Sequence, residues 1–513
     1  MSVDACPNLF HSLSLSAQRA PRALALAFEG QRYSYDDFYR GVQRAMAQLH
    51  ACWGLHQGQR ILLAWGNTPE FCQLFYAAVG LGIEVVPLST KLREDEVREL
   101  LSQAEPQALF YDAACQPWLA NWQQGIAVSL THWRQLELPP PDVRPAPVGR
   151  QDTAVMMFTS GTTGTPKGVL LSHGNLLAAV EAYAQTLNLS AGDSSVLAVP
   201  IYHITGLSAL LALFIHVGGS LWLQHRFNAE AVLNAVREHG ITFLHGSPTV
   251  FTLLTRALKE QAQRLPAAAP DTFAALRAIA CGAGHLNAGL IATLAEAFPH
   301  TAIHPVYGLT ETSSPATIFR GDVRRSNKAG SAGTAIPGLA IAIRDERQCA
   351  LPAGAIGHIW LKGEVVSRGY WQRQQTQAAC ADDGWFASGD IGYLDDDGYL
   401  YIKDRSKDMI NRGGEKIYSI ELENLISTYP GISEVAVVPM PSPLYGEEPL
   451  AFVVTDAQSC LTSEELLDWL RPQLARFKLP ARILFTRTLP RTHNGKINKR
   501  QLKRQLSQHL SLF

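Results

Sequence analysis

Short apolar runs and longer amphipathic stretches take turns along the first part of the chain. Residues 24–34 read as two strands around a Glu29-Gly30-Gln31 turn. At Ser34 to Asp37 the period changes. Phe38, Val42, Ala45, Met46 and Leu49 then recur on one face of a helix. Apolar strands follow at 60–65, 84–88 and 108–111, separated by helical patterns at 69–80 and 94–103. Strands alternating with helices in this way predict an α/β layer with a mostly parallel sheet. A second such run starts with a strand at 196–199 and spans 208–298, with a Pro- and Ala-rich loop at 261–272. Residues 355–403 read as β-rich with many turns. The remainder, with helices at 419–428 and 462–475 and strands at 433–438, 450–454 and 482–486, reads as a small α+β domain.

A chain of 513 residues is too long for one core. The formal net charge of −1 gives no global field for nucleic acid or an anionic membrane surface. No uncharged apolar run approaches the roughly 20 residues of a membrane span, and residues 1–28 carry no secretion signal. The cysteines are scattered singly with no CxxC pair, which indicates neither a zinc site nor a disulfide framework and fits reduced thiols in a cytoplasm. Residues 137–150 form a Pro-rich connector.

That connector delivers the chain to residues 154–174. A buried strand, 154–158, gives way to Thr159, Ser160, Gly161, Thr162, Thr163, Gly164, Thr165, Pro166, Lys167 and Gly168, and a helical pattern begins after Gly174. Phosphate oxygens only accept hydrogen bonds, so hydroxyls, bare backbone N–H groups and one Lys suit a polyphosphate. A Gly-rich surface turn would not need that density of hydroxyls. The common P-loop is excluded, because Pro166 stands where its second Gly belongs.

The stretch resembles the phosphate-binding signature of the adenylate-forming superfamily, closest in pattern to acyl-CoA synthetases of the fatty-acid or 4-coumarate–CoA ligase type. Members activate a carboxylate with ATP, giving an acyl-adenylate and pyrophosphate. Four further motifs follow in family order, so the resemblance covers essentially the whole chain. Tyr307-Gly308-Leu309-Thr310-Glu311-Thr312 is the second. It implies that Tyr307 stacks on adenine, Thr310 donates to the α-phosphate and Glu311 holds Mg²⁺. Gly389-Asp390 implies a ribose clamp at Asp390, with Arg405 as the second contact. Gly413-Gly414 implies passage of a CoA arm past Gly414 and Lys416; Arg412 and Lys478 are further basic residues that could meet its phosphates. The closing Pro490-Arg491-Thr492-His493-Asn494-Gly495-Lys496 implies that Lys496 is the catalytic Lys.

Weaker matches extend the site. The resemblance sets His203 at the entrance to the carboxylate pocket, although a lone His after a strand is often structural. Gly282 and Ala283 fall where the family lies against adenine. Thr205, Gly206, Ala209 and Gly308 are expected to make an uncharged acyl pocket. Lys407 matches the hinge between a large domain, residues 1–404, and a mobile lid, residues 405–513. The implied activity is an acid–thiol ligase using ATP, Mg²⁺ and coenzyme A on a small-molecule carboxylic acid. A fatty acid of medium or greater length is the leading substrate. The alternatives are an aryl acid of the cinnamate or benzoate kind, and a stand-alone enzyme loading a carrier protein. No Asp follows His203 to bind an amino group, and no Arg or Lys in 246–254 suits a dicarboxylate.

Overall fold

Strands covered on both faces carry unbroken apolar runs, and two largely parallel sheets built from such runs dominate the structure. The computed structural model describes residues 6–122, 125–136, 143–159, 166–264, 273–284, 286–372, 376, 379–381, 383–456, 461–492 and 497–510. Among these, the larger sheet has nine strands. Their order is Thr334–Ala335, Thr317–Ile318, Ala302–Tyr307, Ala278–Cys281, Phe243–Gly246, Ser194–Leu197, Ser220–Leu223, Leu24–Phe28 and Gln31–Ser34. The strands from Ala302–Tyr307 to Leu24–Phe28 are parallel, and the edges are antiparallel. The second sheet runs Ile126–Ser129, Ala108–Tyr111, Arg60–Ala64, Glu84–Pro87, Thr153–Thr159 and Lys167–Ser172, parallel except for its last strand.

Local chemistry sets the helix ends. Ser34 and Asp37 form a reciprocal capping box for helix Tyr35–Trp53, and Gly54 closes it at φ 64°. Thr68 caps Pro69–Gly80, with Pro in the first turn. Ser172 and Asn175 cap His173–Leu187, so that helix begins at His173, two residues earlier than expected.

Two compact units result. The first comprises Met1–Leu286, Thr293–Ile341 and Leu361–Phe386, and holds both large sheets; the second comprises Asn287–Ala292, Ala342–Trp360 and Ala387–Phe513. The expected β-rich stretch forms a sheet of Leu339–Arg344, Gly357–Gly363, Phe386–Leu394 and Leu400–Arg405, whose residues divide between the units. In the second unit, Glu415–Ile417, Ile410–Arg412, Gly446–Thr455 and Ile432–Ser442 form a sheet extended by Arg482–Phe485. Val435 and Val437 face helices Ser419–Ile426 and Ser463–Leu470, while Ala436 and Val438 meet Leu502 and Leu506 of helix Lys499–Leu510. Helix Ser463–Leu470 stops short of the expected end at 475. Among the described residues no helix is long and apolar enough to cross a membrane.

Helix Leu9–Arg19, which the sequence pattern did not announce, docks through buried polar contacts. The Leu9 N–H donates to His173 Nδ1 at 3.3 Å, Ser12 Oγ meets His216 Nδ1 at 3.0 Å, and Ser16 Oγ donates to the Ile215 carbonyl at 2.7 Å. Burial lowers both histidines to about 4. A histidine depressed below its usual 6.5 binds its proton more readily when unfolded. The stability it contributes is therefore full above pH 6.5 and is lost as pH falls toward 4. The thermal midpoint should thus drop between pH 7 and pH 5, and His216→Asn should flatten the drop. A midpoint constant down to pH 4 contradicts this.

Candidate active site

Four neighbouring parallel strands end side by side at Leu197, Gly246, Cys281 and Tyr307. In open α/β sheets ligands bind beyond such carboxyl ends. The segments that leave these ends carry His203, Gly282, Ala283 and Glu311. Asn67 holds the first segment. Its amide donates to the Leu197 and Val199 carbonyls at 3.2 and 2.9 Å, and its oxygen accepts from the Ile201 N–H at 2.9 Å. Asn67 lies just past strand Arg60–Ala64, so this one buried side chain joins the ends of the two sheets.

His203 is half-buried and caps the following turn, with its Nδ1 accepting from the Thr205 N–H at 3.4 Å. Thr205, Gly206, Leu207, Ser208 and Ala209 are buried, and Leu207–Ala212 is a π-helical turn, a form frequent at functional sites. Gly282 donates its N–H to the Gly246 carbonyl at 3.0 Å. Ala283 sits at φ 62°, a left-handed conformation that a non-glycine residue rarely adopts.

Tyr307 is buried at its strand end. The next residues turn tightly over Thr310–Thr312, where the Leu309 N–H donates to Thr312 Oγ1 at 2.9 Å. Ser313 and Ser314 follow at φ 57° and 112°. Gly206 and Gly308, expected at an uncharged acyl pocket, both lie tight against neighbouring backbone. A Cβ on Gly308 would lie 1.5 Å from the Ser314 carbonyl oxygen, and one on Gly206 would lie 2.3 Å from that of Pro200. Both glycines allow backbone to approach backbone.

Lys167 and Glu311 are brought together by a residue that the motif reading passed over. The Tyr370 hydroxyl donates to Glu311 Oε1 at 2.8 Å, and Lys167 Nζ lies 5.0 Å from the Tyr370 ring centroid. Burial, with the Glu311 charge, pushes the Tyr370 hydroxyl well above its usual range, so it stays a donor. Tyr370 is fixed by pairing of 369–371 with Gly168–Leu170: the Leu170 N–H donates to the Gly369 carbonyl at 3.1 Å and the Trp371 N–H to the Gly168 carbonyl at 2.8 Å. A Gly-Tyr-Trp triplet was its only trace in the sequence. Thr159 pairs with Lys167 across the antiparallel strands. Ser160, Gly161, Thr162, Thr163, Gly164 and Lys496 lie outside the described residues. One half-buried carboxylate held by a neutral donor is a hard oxygen ligand suited to Mg²⁺, which takes one or two carboxylates and completes its shell with phosphate oxygens and water.

In the second unit Asp390, 4 % exposed, is the register partner of Arg405, with 3.4 Å between Asp390 Oδ1 and Arg405 Nε. The Asp390 N–H donates to Ser388 Oγ at 3.1 Å. Gly413 and Gly414, at φ 60° and 97°, form the two-residue turn between Ile410–Arg412 and Glu415–Ile417, a hairpin that requires positive φ at both positions. Lys416 makes an exposed pair with Glu346 at 3.5 Å. Arg412 is committed to Glu448 and stacks on Tyr445, and Lys478 is committed to Glu421.

Lys407 stands beside a buried ionic cluster. Burial, aided by Arg405, lowers its pKa. Asp404 accepts from the backbone N–H and hydroxyl of Ser419. Lys499 reaches Ser419 Oγ and Glu423 Oε1, each at 2.7 Å, and Lys503 pairs with Asp408 at 2.9 Å. Burial works against the Lys499 charge, but the surrounding Glu423 and Asp404 raise its pKa on balance.

Residues 13–371 match the family described as AMP-binding enzyme, and residues 421–496 match the AMP-binding enzyme C-terminal domain. The chain is 32 % identical over 492 residues to a feruloyl-CoA synthase of an Amycolatopsis species, covering 95 % of this chain and 97 % of the relative. It is 32 % identical over 463 residues to the long-chain-fatty-acid–CoA ligase FadD13 of Mycobacterium tuberculosis, covering 88 % and 89 %. Among solved structures, the o-succinylbenzoate coenzyme A synthetase MenE of Bacillus subtilis, in complex with ATP and magnesium ion, superposes with a TM-score of 0.85. That match has 28 % identity and covers 98 % of this chain and 99 % of that one.

The ionic cluster predicts a large stability effect. Lys499→Met strands Glu423 as a buried, uncompensated charge, which typically costs about 3–5 kcal/mol. Denaturant unfolding should show that loss, and Lys499→Arg should recover much of it. A change under about 1 kcal/mol for the Met variant rules out a paired charge here.

Proposed function

The chain belongs to the AMP-binding enzyme family, and on that premise we propose that it joins an uncharged-bodied monocarboxylic acid to coenzyme A in two half-reactions. The observation that carries this reading is the Lys167–Tyr370–Glu311 line at the strand ends, which sets a cation and an anion where a polyphosphate and its counter-ion would meet. Thr159, Ser160, Gly161, Thr162, Thr163, Gly164 and Lys167 hold the β- and γ-phosphates. Thr310 donates to the α-phosphate, and Tyr307, Gly282 and Ala283 receive the adenine. Glu311 would hold Mg²⁺, which when bound neutralises charge on the phosphates. Asp390 accepts from the ribose hydroxyls, with Arg405 as its partner.

Chemically, the carboxylate oxygen attacks the α-phosphorus in line and the bond to pyrophosphate breaks. Such transfers depend on positioning and charge neutralisation more than on covalent help. Lys496 neutralises the carboxylate and the α-phosphate. The small domain, 405–513, then turns at Lys407, and the thiol enters past Gly414 and Lys416 to displace AMP. His203 sits at the mouth of the acyl site, which Thr205, Gly206, Ala209 and Gly308 bound. The buried π-turn supplies no charge there, which supports a fatty acid of medium or greater length. An aryl acid is the second reading, supported by the polar atoms described below. Coenzyme A is the acceptor, with a carrier protein as the alternative.

The defining test measures AMP release with ATP, Mg²⁺ and CoA across straight-chain and aryl acids. Lys496→Ala should lose about 10²–10³ in adenylation rate, the usual effect of removing one preorganised charge contact. Given preformed acyl-adenylate and CoA, the variant should still form thioester; equal collapse of both steps rejects two separate active arrangements. Tyr370→Phe should raise the Mg²⁺ concentration needed for half-maximal rate, since Glu311 loses its aligning donor. An unchanged Mg²⁺ requirement removes Tyr370 from the site.

A further inference from the structure

Three fully buried polar atoms in the first unit, Ser195 Oγ, Ser208 Oγ and His245 Nδ1, have no hydrogen-bond partner among the described residues. They share one layer. Phe243 is the register partner of Ser195, and side chains alternate along a strand, so Ser195, Phe243 and His245 project from the same face of the sheet. Phe243 lies 6.0 Å from Phe214, and His245 lies 5.6 Å from Tyr183, measured between ring centroids. That face is therefore the one covered by helices His173–Leu187 and Leu213–Val217. Ser208 belongs to the π-turn, which packs on helix His173–Leu187 and on strand Ser194–Leu197.

A hydrogen-bonded chain leads from this layer to the catalytic turn. The Tyr183 hydroxyl lies 3.0 Å from His245 Nε2 and 3.0 Å from Ser314 Oγ. Ser314 is three residues past Glu311, in the left-handed segment. His245 is the penultimate residue of its strand, one position before the end shared with Leu197, Cys281 and Tyr307. The chain thus starts beside the proposed carboxylate-activating site and ends on a bare ring nitrogen within an apolar layer.

Leaving a buried polar atom unsatisfied forfeits its hydration with nothing in return, and native proteins keep few of them. Burial lowers the imidazole to about 3, so the ring is neutral and carries one proton. When Tyr183 donates to Ser314, Nε2–H donates to Tyr183 and Nδ1 is an acceptor. When Tyr183 donates to Nε2, Nδ1–H is a donor. A hydroxyl satisfies either tautomer, being both donor and acceptor. A methyl terminus satisfies neither, and a second carboxylate would be buried with no cation beside it.

We propose that His245, with Ser208, reads a neutral hydroxyl on the body of the acid, so that the preferred substrate is a hydroxylated monocarboxylic acid rather than its plain hydrocarbon counterpart. The inference rests on the ligase reading and narrows its substrate. The test compares matched pairs, cinnamate with 4-hydroxycinnamate and octanoate with 8-hydroxyoctanoate, as kcat/KM for AMP release. The two pairs separate an aryl from an alkyl body. Wild type should favour the hydroxylated member of at least one pair by roughly tenfold or more, since a site built around a hydroxyl penalises analogues that lack it. His245→Phe should bring that ratio close to one, and Ser208→Ala, which removes a single atom and spares the packing, should lower it several-fold. A wild-type ratio near one in both pairs, with AMP released, overturns this inference and leaves the ligase intact. So does a ratio that neither variant changes, the result expected if an internal water satisfies these atoms. No AMP from any acid overturns the ligase reading and this inference together.

Discussion

Parallel strands buried on both faces must somewhere stop, and the backbone groups beyond their ends still need partners. That requirement shapes the first unit. At Leu197 the partner is Asn67, which supplies three hydrogen bonds from the other sheet. At Gly246 it is the N–H of Gly282. Past Tyr307 it is the Thr312 hydroxyl and a tight turn. The segments that leave these ends are also where the proposed nucleotide and acid contacts collect. Satisfying the strand ends and building the site are one problem.

Much of this was legible in the sequence, because period is a local property. The strands at Arg60–Ala64, Glu84–Pro87 and Ala108–Tyr111 and the helices between them show their spacing directly. Two helices did not. Leu9–Arg19 has Leu9, Phe10, Leu13 and Ala17 on its buried face, but serines share that face and blur the period. Lys499–Leu510 packs through Leu502 and Leu506, and nine of its twelve residues are Lys, Arg, Gln, Ser or His, so it reads as a solvated tail. In the site, motif residues were visible because their types and spacing are unusual. Asn67 and Tyr370 were not, because each acts through a partner more than 50 residues away, at |i−j| of 130 for Asn67 to Leu197 and 59 for Tyr370 to Glu311.

Glycine shows how one residue type can serve different ends. Gly206 and Gly308 were expected to help make an uncharged acyl pocket, yet the space at each is occupied by a neighbouring carbonyl. There the missing side chain allows close chain packing. At Gly413 and Gly414 it allows a turn with positive φ. Ala283, Ser313 and Ser314 hold left-handed backbone without being glycine, and such strain persists only where surrounding contacts enforce it. Ala283 lies two residues past strand Ala278–Cys281, and Ser313 and Ser314 follow the turn at Thr310–Thr312.

The second unit poses a question of motion. Lys407 is the proposed pivot, but Asp404, on one side of it, bonds to Ser419 on the other. Any turn at 407 that carries 419 away must break that contact. Burial already pushes the Asp404 carboxyl up, so much of what it gains from Ser419 and Lys499 offsets its own desolvation. Turned out to water, the carboxylate recovers hydration, and the net cost of release is smaller than the bonds suggest. Asp408 differs. Its pKa is lowered: burial opposes this, but Lys499 and Lys503 outweigh it. A pivot at 407 therefore separates Asp404 from Ser419, and leaves Asp408 paired with Lys503 of helix Lys499–Leu510.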